Sequence, residues 1–181
     1  CASHRGEPEH VALVAGWLER IALSEGDLEC GAHAPGNGSA RAALIRQGRA
    51  PSQLHNNCSG KHAGFLTTAR HMGEPTKGYI APDHPVQRRV TQALSEMSAC
   101  DLSNAPLGRD GCGIPVIGIP LRGLALALAR FVDPRGLPAE RQSSTRRVLA
   151  AMTSRPFLVD GTNSMATRVM EVTGGAVALK P

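Results

Sequence analysis

Apolar side chains in this sequence recur every three to four residues along most of its length, and at alternate positions almost nowhere. That periodicity selects helices. Glu7-Pro8 leads into Val11, Val14, Leu18 and Ile21, one face of a helix with proline in its first turn, which is expected to end near Gly26. A second helix is expected over Ser59–Met72, stopped by Gly73 and Pro75. A third opens at Asp83-His84-Pro85 and carries the stripe Val86, Val90, Leu94 and Met97. Helices are also expected at Leu121–Val132, Pro138–Thr153 and Ser164–Val172, with a short one at Ala40–Arg46. Leu121–Val132 is apolar enough to read as a buried helix despite Arg122 and Arg130. Strand candidates are few. Val116–Ile119 reads as a short buried strand, and Ala176–Leu179, after the turn at Gly174-Gly175, is the better of the two. Many helices and no alternating strand–helix rhythm predict an α+β fold.

A chain of 181 residues is long enough for one domain with a sizeable core, so residues 1–181 are read as a single domain. Both ends read as internal cuts. Chemistry-bearing residues crowd the first four positions, and the chain stops directly after an apolar run at Ala178-Leu179-Lys180-Pro181. Most of the sheet is expected to lie outside this piece.

Composition excludes several functions. Aromatic residues make up only 3% of the chain, which leaves little for stacking on nucleic-acid bases. The net charge of +5 comes from 17 Arg and 3 Lys, scattered without a run longer than two. A solvated surface fits this pattern better than a nucleic-acid stripe. No apolar run approaches the roughly 18 residues of a membrane span. Five cysteines spread from Cys1 to Cys112 form no disulfide framework, so free or metal-bound thiols in a reducing, cytoplasmic setting are expected.

Three clusters carry chemistry. In Asn56-Asn57-Cys58-Ser59-Gly60-Lys61-His62, a helix starting at Ser59 puts Cys58 at its mouth, with Lys61 and His62 one turn on. A thiol there is drawn toward thiolate by the helix terminus and the lysine. Alone, Cys58 also fits an incidental thiol beside an Asn/Ser cap. In Arg109-Asp110-Gly111-Cys112-Gly113, a second thiol sits between glycines that let the backbone turn sharply. Two thiols without a CxxC partner make an incomplete structural site, which leaves a position open in the manner of a catalytic zinc. His62 is the orthodox third ligand. Lys61 is the unusual one, because an ammonium must lose its proton before it can bind. The third cluster, Cys1-Ala2-Ser3-His4-Arg5-Gly6-Glu7, puts Ser3 just before the first helix, as an anion-stabilised hydroxyl or as a plain cap. A serine nucleophile needs a base. Against a background of arginines, Lys61 and Lys180 stand out as amines that can lose a proton.

Taken together, Cys1-Ala2-Ser3-His4, Asn57-Cys58-Ser59-Gly60-Lys61-His62, Pro82-Asp83-His84-Pro85 and Asp110-Gly111-Cys112 resemble the Rhizobium etli-type asparaginases, often called asparaginase II. The likeness runs in order over nearly the whole chain. It implies a fold similar to serine β-lactamases and glutaminases, a mostly helical part packed on an antiparallel sheet that is incomplete here. It also implies hydrolysis of L-asparagine to aspartate and ammonia, with a homodimer as the candidate assembly. By the same resemblance Cys58, Lys61 and Cys112 are the zinc ligands, in place of His62, which becomes a neighbour of the site. Asp110 stands behind the metal-bound water, Ser3 matches a catalytic serine and Lys180 a catalytic lysine. The family's upstream Ser-x-x-Lys motif has no match in this chain. Two rival readings follow. Cys1 can be an N-terminal nucleophile freed by autocleavage, or the chain can be an inactive zinc-binding remnant that serves as an interaction module.

Overall fold

The computed structural model describes residues 3–180; Cys1, the rival nucleophile, lies outside the described residues with Ala2 and Pro181. Eight α-helices and one two-stranded antiparallel sheet follow in order: α1 (Pro8–Arg20), α2 (Gly38–Arg46), α3 (Ser59–Met72), α4 (Pro85–Ser98), β1 (Leu107–Arg109), β2 (Pro115–Ile117), α5 (Leu121–Val132), α6 (Ala139–Ser154), α7 (Pro156–Asp160) and α8 (Met165–Val172). Single 3-10 turns lie at Glu25–Asp27 and Gln53–His55. The chain is mostly helical with a small antiparallel sheet, in agreement with α+β.

The main core forms where α1 crosses α3. Val14 and Leu18 from α1 meet Ala63 and Leu66 from α3, and Leu28, Cys30, Tyr79 and Ile114 close the cluster. The α1 stripe is buried because Val14 and Leu18 fall one helical turn apart on the same face. Trp17 seals the edge, donating its indole N–H to Thr67 Oγ1 at 2.9 Å. Both thiols, Cys58 and Cys112, belong to this same core. A second, thinner cluster joins Val159 of α7 to Ala166 and Met170 of α8, with Met152 and Leu179 packed against it.

Several expectations need correction. The first helix stops at Arg20, short of Gly26, because Ala22 turns into the left-handed region at φ 54°. Leu121–Val132 is helical but not buried: only Gly123 and Ala127 face inward, while Leu121 is 80% exposed. At Gly123 α5 comes close to the end of α4 and the residues after it: a Cβ there would fall 2.5 Å from Cys100 Sγ and 3.4 Å from Ser98 Cβ. The strand at 115–117 is also less buried than its composition suggests, since Val116 faces solvent. Ala176–Leu179 forms no strand among the described residues. The turn before it is real, with Gly174 and Gly175 both at positive φ, but the segment instead lays Leu179 on the α7–α8 cluster. Among the described residues, no helix is long and apolar enough to cross a membrane.

Candidate active site

Two pieces of backbone aim the thiols at each other. Asn56 braces the mouth of α3: its Oδ1 accepts the Cys58 N–H at 2.9 Å, and its Nδ2 donates to the Gly31 carbonyl at 2.8 Å. Cys58 thus becomes the residue that caps α3, with Lys61 one turn on. Opposite it, residues 110–114 form the tip between β1 and β2, where Leu107 pairs with Ile117 and Arg109 with Pro115. Asp110 N–H donates to Ile114 O and Gly113 N–H to Asp110 O, both at 2.9 Å. This tight turn needs the φ of +96° that Gly113 supplies.

The result is a convergence. Cys58 Sγ, Cys112 Sγ and an Asp110 carboxylate oxygen all lie within 4.8 Å of one another. Lys61 Nζ donates to Asp110 Oδ2 at 3.0 Å, and Cys112 Sγ lies 3.5 Å from the same oxygen. The Lys61 hydrogen bond holds the Asp110 carboxyl below the usual carboxylate range. Burial pulls the Lys61 amine down, but Asp110 and the two thiols outweigh it, so its pKa is raised. Burial also pushes the Cys112 thiol up. Donors around one tetrahedral zinc stand about 3.8 Å apart for Zn–S bonds of about 2.3 Å. Two soft thiols and a carboxylate confined this closely fit a metal ion, and the cluster can hold one.

Ser3 and Lys180, at opposite ends of the described chain, meet beside this cluster. Lys180 Nζ hydrogen-bonds Ser3 Oγ. Partial burial lowers the Lys180 pKa, and Lys61 adds to the effect, while Cys58, Asp110 and Asp160 oppose it. Lys180 therefore sits within electrostatic reach of the thiol cluster.

The histidines point elsewhere. His4 is not a base for its neighbour Ser3. Its Nδ1 accepts the Gly6 N–H at 3.1 Å, so its Nε2 carries the proton and donates to Ser59 Oγ at 2.8 Å, which in turn donates to Leu54 O. Burial, with the nearby His10, depresses the His4 pKa to about 3, so the ring is neutral. His62 Nδ1 pairs with Tyr79 OH at 2.8 Å. That hydroxyl already accepts the Glu29 N–H at 2.7 Å, so it donates to His62. Burial and then Lys61 lower the His62 pKa to about 4, and its Nε2 is buried without a hydrogen-bond partner. Of the two candidates beside Cys58, the amine of Lys61 reaches Asp110, while His62 is turned to Tyr79 in the core.

The polar ties that bring the ends together leave no mark in the sequence. Glu7, read only as part of a helix start, has both carboxylate oxygens on Thr162. Arg5 Nε faces Asp160 Oδ1 at 3.6 Å. His10 donates from Nε2 to Phe157 O at 2.9 Å and stacks between His4 and Phe157. The partners lie about 150 residues away, and no local pattern signals them. Glu7-Pro8 was visible only as a cap.

The family profile described as L-asparaginase II matches residues 1–181. No curated individual protein matches the chain. Because that match spans all 181 residues of the sequence, the chain belongs to the L-asparaginase II family.

Proposed function

We propose that this chain carries the hydrolytic centre of an L-asparaginase of the Rhizobium etli type, acting on the side-chain amide of L-asparagine. The observation that carries the reading is the Ser3–Lys180 hydrogen bond, set within electrostatic reach of Cys58, Lys61 and Asp110. A serine is a weak nucleophile until a base takes its proton. Lys180, with its pKa lowered by partial burial, has the free amine available nearer neutral pH than an ordinary lysine.

The steps follow from that pair. Lys180 Nζ accepts the Ser3 hydroxyl proton as Oγ attacks the amide carbon. The protonated amine then returns the proton to the departing nitrogen, and ammonia leaves. Water attacks the acyl-serine ester with Lys180 again as base, releasing aspartate and restoring Ser3.

Cys58, Lys61 and Cys112 are the residues proposed to hold zinc, Lys61 after giving up the proton that it now directs at Asp110, with Asp110 behind them and His62 as a buried neighbour. Zinc bound there would supply a Lewis acid that mainly orients the substrate and, second, activates water. The donor chemistry supports it: two thiols favour zinc over magnesium or calcium. The serine β-lactamase-like architecture and a cytoplasmic site of action belong to the same reading, as does assembly into a homodimer.

The test is ammonia release from L-asparagine by the purified protein, with and without a chelator, beside Ser3→Ala. The reading expects turnover that falls with the chelator and drops by about 10³-fold in Ser3→Ala. Zinc binding without any turnover would favour the inactive interaction module instead. Undiminished turnover in Ser3→Ala would overturn the mechanism.

A further inference from the structure

We propose that Glu7 is a positioning residue: its carboxylate clamps Thr162 and so holds Ser3 against Lys180. This rests on the catalytic reading of that pair, although the clamp itself is a matter of geometry.

Glu7 is buried, and a buried carboxylate is unfavourable unless its oxygens are satisfied. Both are satisfied by one residue. Oε1 accepts the Thr162 N–H at 2.8 Å, and Oε2 accepts the Thr162 hydroxyl at 2.6 Å. The backbone beside Thr162 is shaped to admit it. Gly161 sits at φ +99° and ψ −175°, a region essentially reserved for glycine, and a Cβ there would strike Glu7 Oε1. Two features of the 161–162 turn thus depend on one side chain from the other end of the chain.

Each side of the clamp leads to one member of the pair. On the N-terminal side, Gly6 N–H on His4 Nδ1 and His4 Nε2–H on Ser59 Oγ fix the three residues that separate Glu7 from Ser3. Beyond Thr162, Thr167 Oγ1 donates to Gly161 O at 2.7 Å, tying the turn to α8. Ala166 and Met170 of α8 then pack with Leu179, the neighbour of Lys180. His10, whose Nδ1 accepts the Glu7 N–H and whose Nε2 reaches Phe157 O, is a parallel tie. A clamp of this kind acts through alignment, because a reacting pair displaced by about 1 Å loses up to about 100-fold in rate.

The experiment uses the full-length protein with Glu7→Gln, Thr162→Val and Thr162→Ser. Thr162→Val keeps shape and the backbone N–H but deletes the hydroxyl; Thr162→Ser restores it. The clamp predicts a fall in kcat of about 10-fold or more for Glu7→Gln and Thr162→Val, with KM within about twofold, and near-normal kcat in Thr162→Ser. Crystal structures of the wild-type and Thr162→Val proteins should show the Ser3 Oγ–Lys180 Nζ contact closed in the first and open in the second. If the contact opens while the wild type releases no ammonia, the clamp stands and the asparaginase reading falls. If turnover is normal in Glu7→Gln and Thr162→Val, or the contact stays closed, or Thr162→Ser is as defective as Thr162→Val, the clamp is wrong.

Discussion

The two halves of the site are built on different foundations. Cys58 and Cys112 stand in the main core with Val14, Leu18, Leu66 and Tyr79, so burial of apolar surface fixes them. Lys180 hangs from a thin layer, Val159, Ala166 and Met170 with Leu179, and meets Ser3 through polar ties at Glu7, His10 and Arg5. Hydrophobic burial is strong but undirected, whereas hydrogen bonds specify geometry at modest net stability. A metal cluster tolerates the first kind of support, since the ion itself draws its ligands together. Two side chains proposed to exchange a proton need the second.

The largest expected effect separates the halves by what is lost. Lys180→Ala should lower kcat by about 10³-fold with little change in metal content, since general-base catalysis contributes at that scale. Cys58→Ala or Cys112→Ala should instead weaken zinc affinity and raise KM, each by about 10-fold or more. Steady-state kinetics with a zinc competition titration decides it. A Cys58→Ala protein with full zinc and only kcat reduced would erase the distinction.

A smaller effect tests the foundations. Leu66 and Met170 are both fully buried, one in each cluster. Leu66→Ala should cost about 3 kcal/mol and Met170→Ala about 2 kcal/mol. Trp17 is the chain's single tryptophan and reports on the α1–α3 core alone. In urea, Leu66→Ala should move the Trp17 fluorescence and activity midpoints together. Met170→Ala should abolish activity before Trp17 responds, because the α7–α8 layer opens locally. Coincident midpoints in Met170→Ala would mean one cooperative unit and no weak half.

This division also decides what the sequence disclosed. The thiol half was legible in part because its pieces are local: Cys58 and Lys61 share one helical turn, and Asp110 and Cys112 share one hairpin tip, although residue chemistry favoured His62 and only the resemblance put Lys61 in its place. The helix at about 59–72 was readable from its caps, stopped by Gly73 at φ 67°. The Ser3–Lys180 contact spans 177 positions, and no periodicity encodes a contact of that range; the resemblance named both residues, while their composition and spacing did not pair them. The strand expected at 176–179 failed for the same reason. Its composition suits a sheet, but a strand needs a partner, and Leu179 finds the α7–α8 cluster instead. α5 differs from the expectation because its large apolar residues gather beside the packed face, not on it: Gly123 and Ala127 pack inward while Leu121, Leu124 and Leu128 stay exposed.

The smallest effect concerns the seam between the halves, and pH reads it. His4 links the segment that bears Ser3 to Ser59 at the mouth of α3, and it stacks on His10. Burial holds its pKa at about 3 in the folded chain, against about 6.5 when unfolded. The sign follows. Above about pH 6.5 the ring is neutral in both states and contributes no pH dependence. Below that, the unfolded chain binds a proton that the folded chain refuses until about pH 3, so stability falls on acidification through this window. One such proton gives a slope of about 1.4 kcal/mol per pH unit, roughly 2 kcal/mol by pH 5. His62, held at about 4 by burial and Lys61, adds a similar slope from within the thiol half. In Glu, Asp and thiol background held constant, His4→Gln should therefore reduce the slope of unfolding free energy between pH 6.5 and 4.5 by about one proton, measured by urea melts at stepped pH. His62→Gln should do the same, but with Trp17 fluorescence tracking the change, because that ring sits in the main core. An unchanged slope in His4→Gln would mean that the seam admits water and that His4 titrates freely, and the rigid coupling between Ser3 and α3 would go with it.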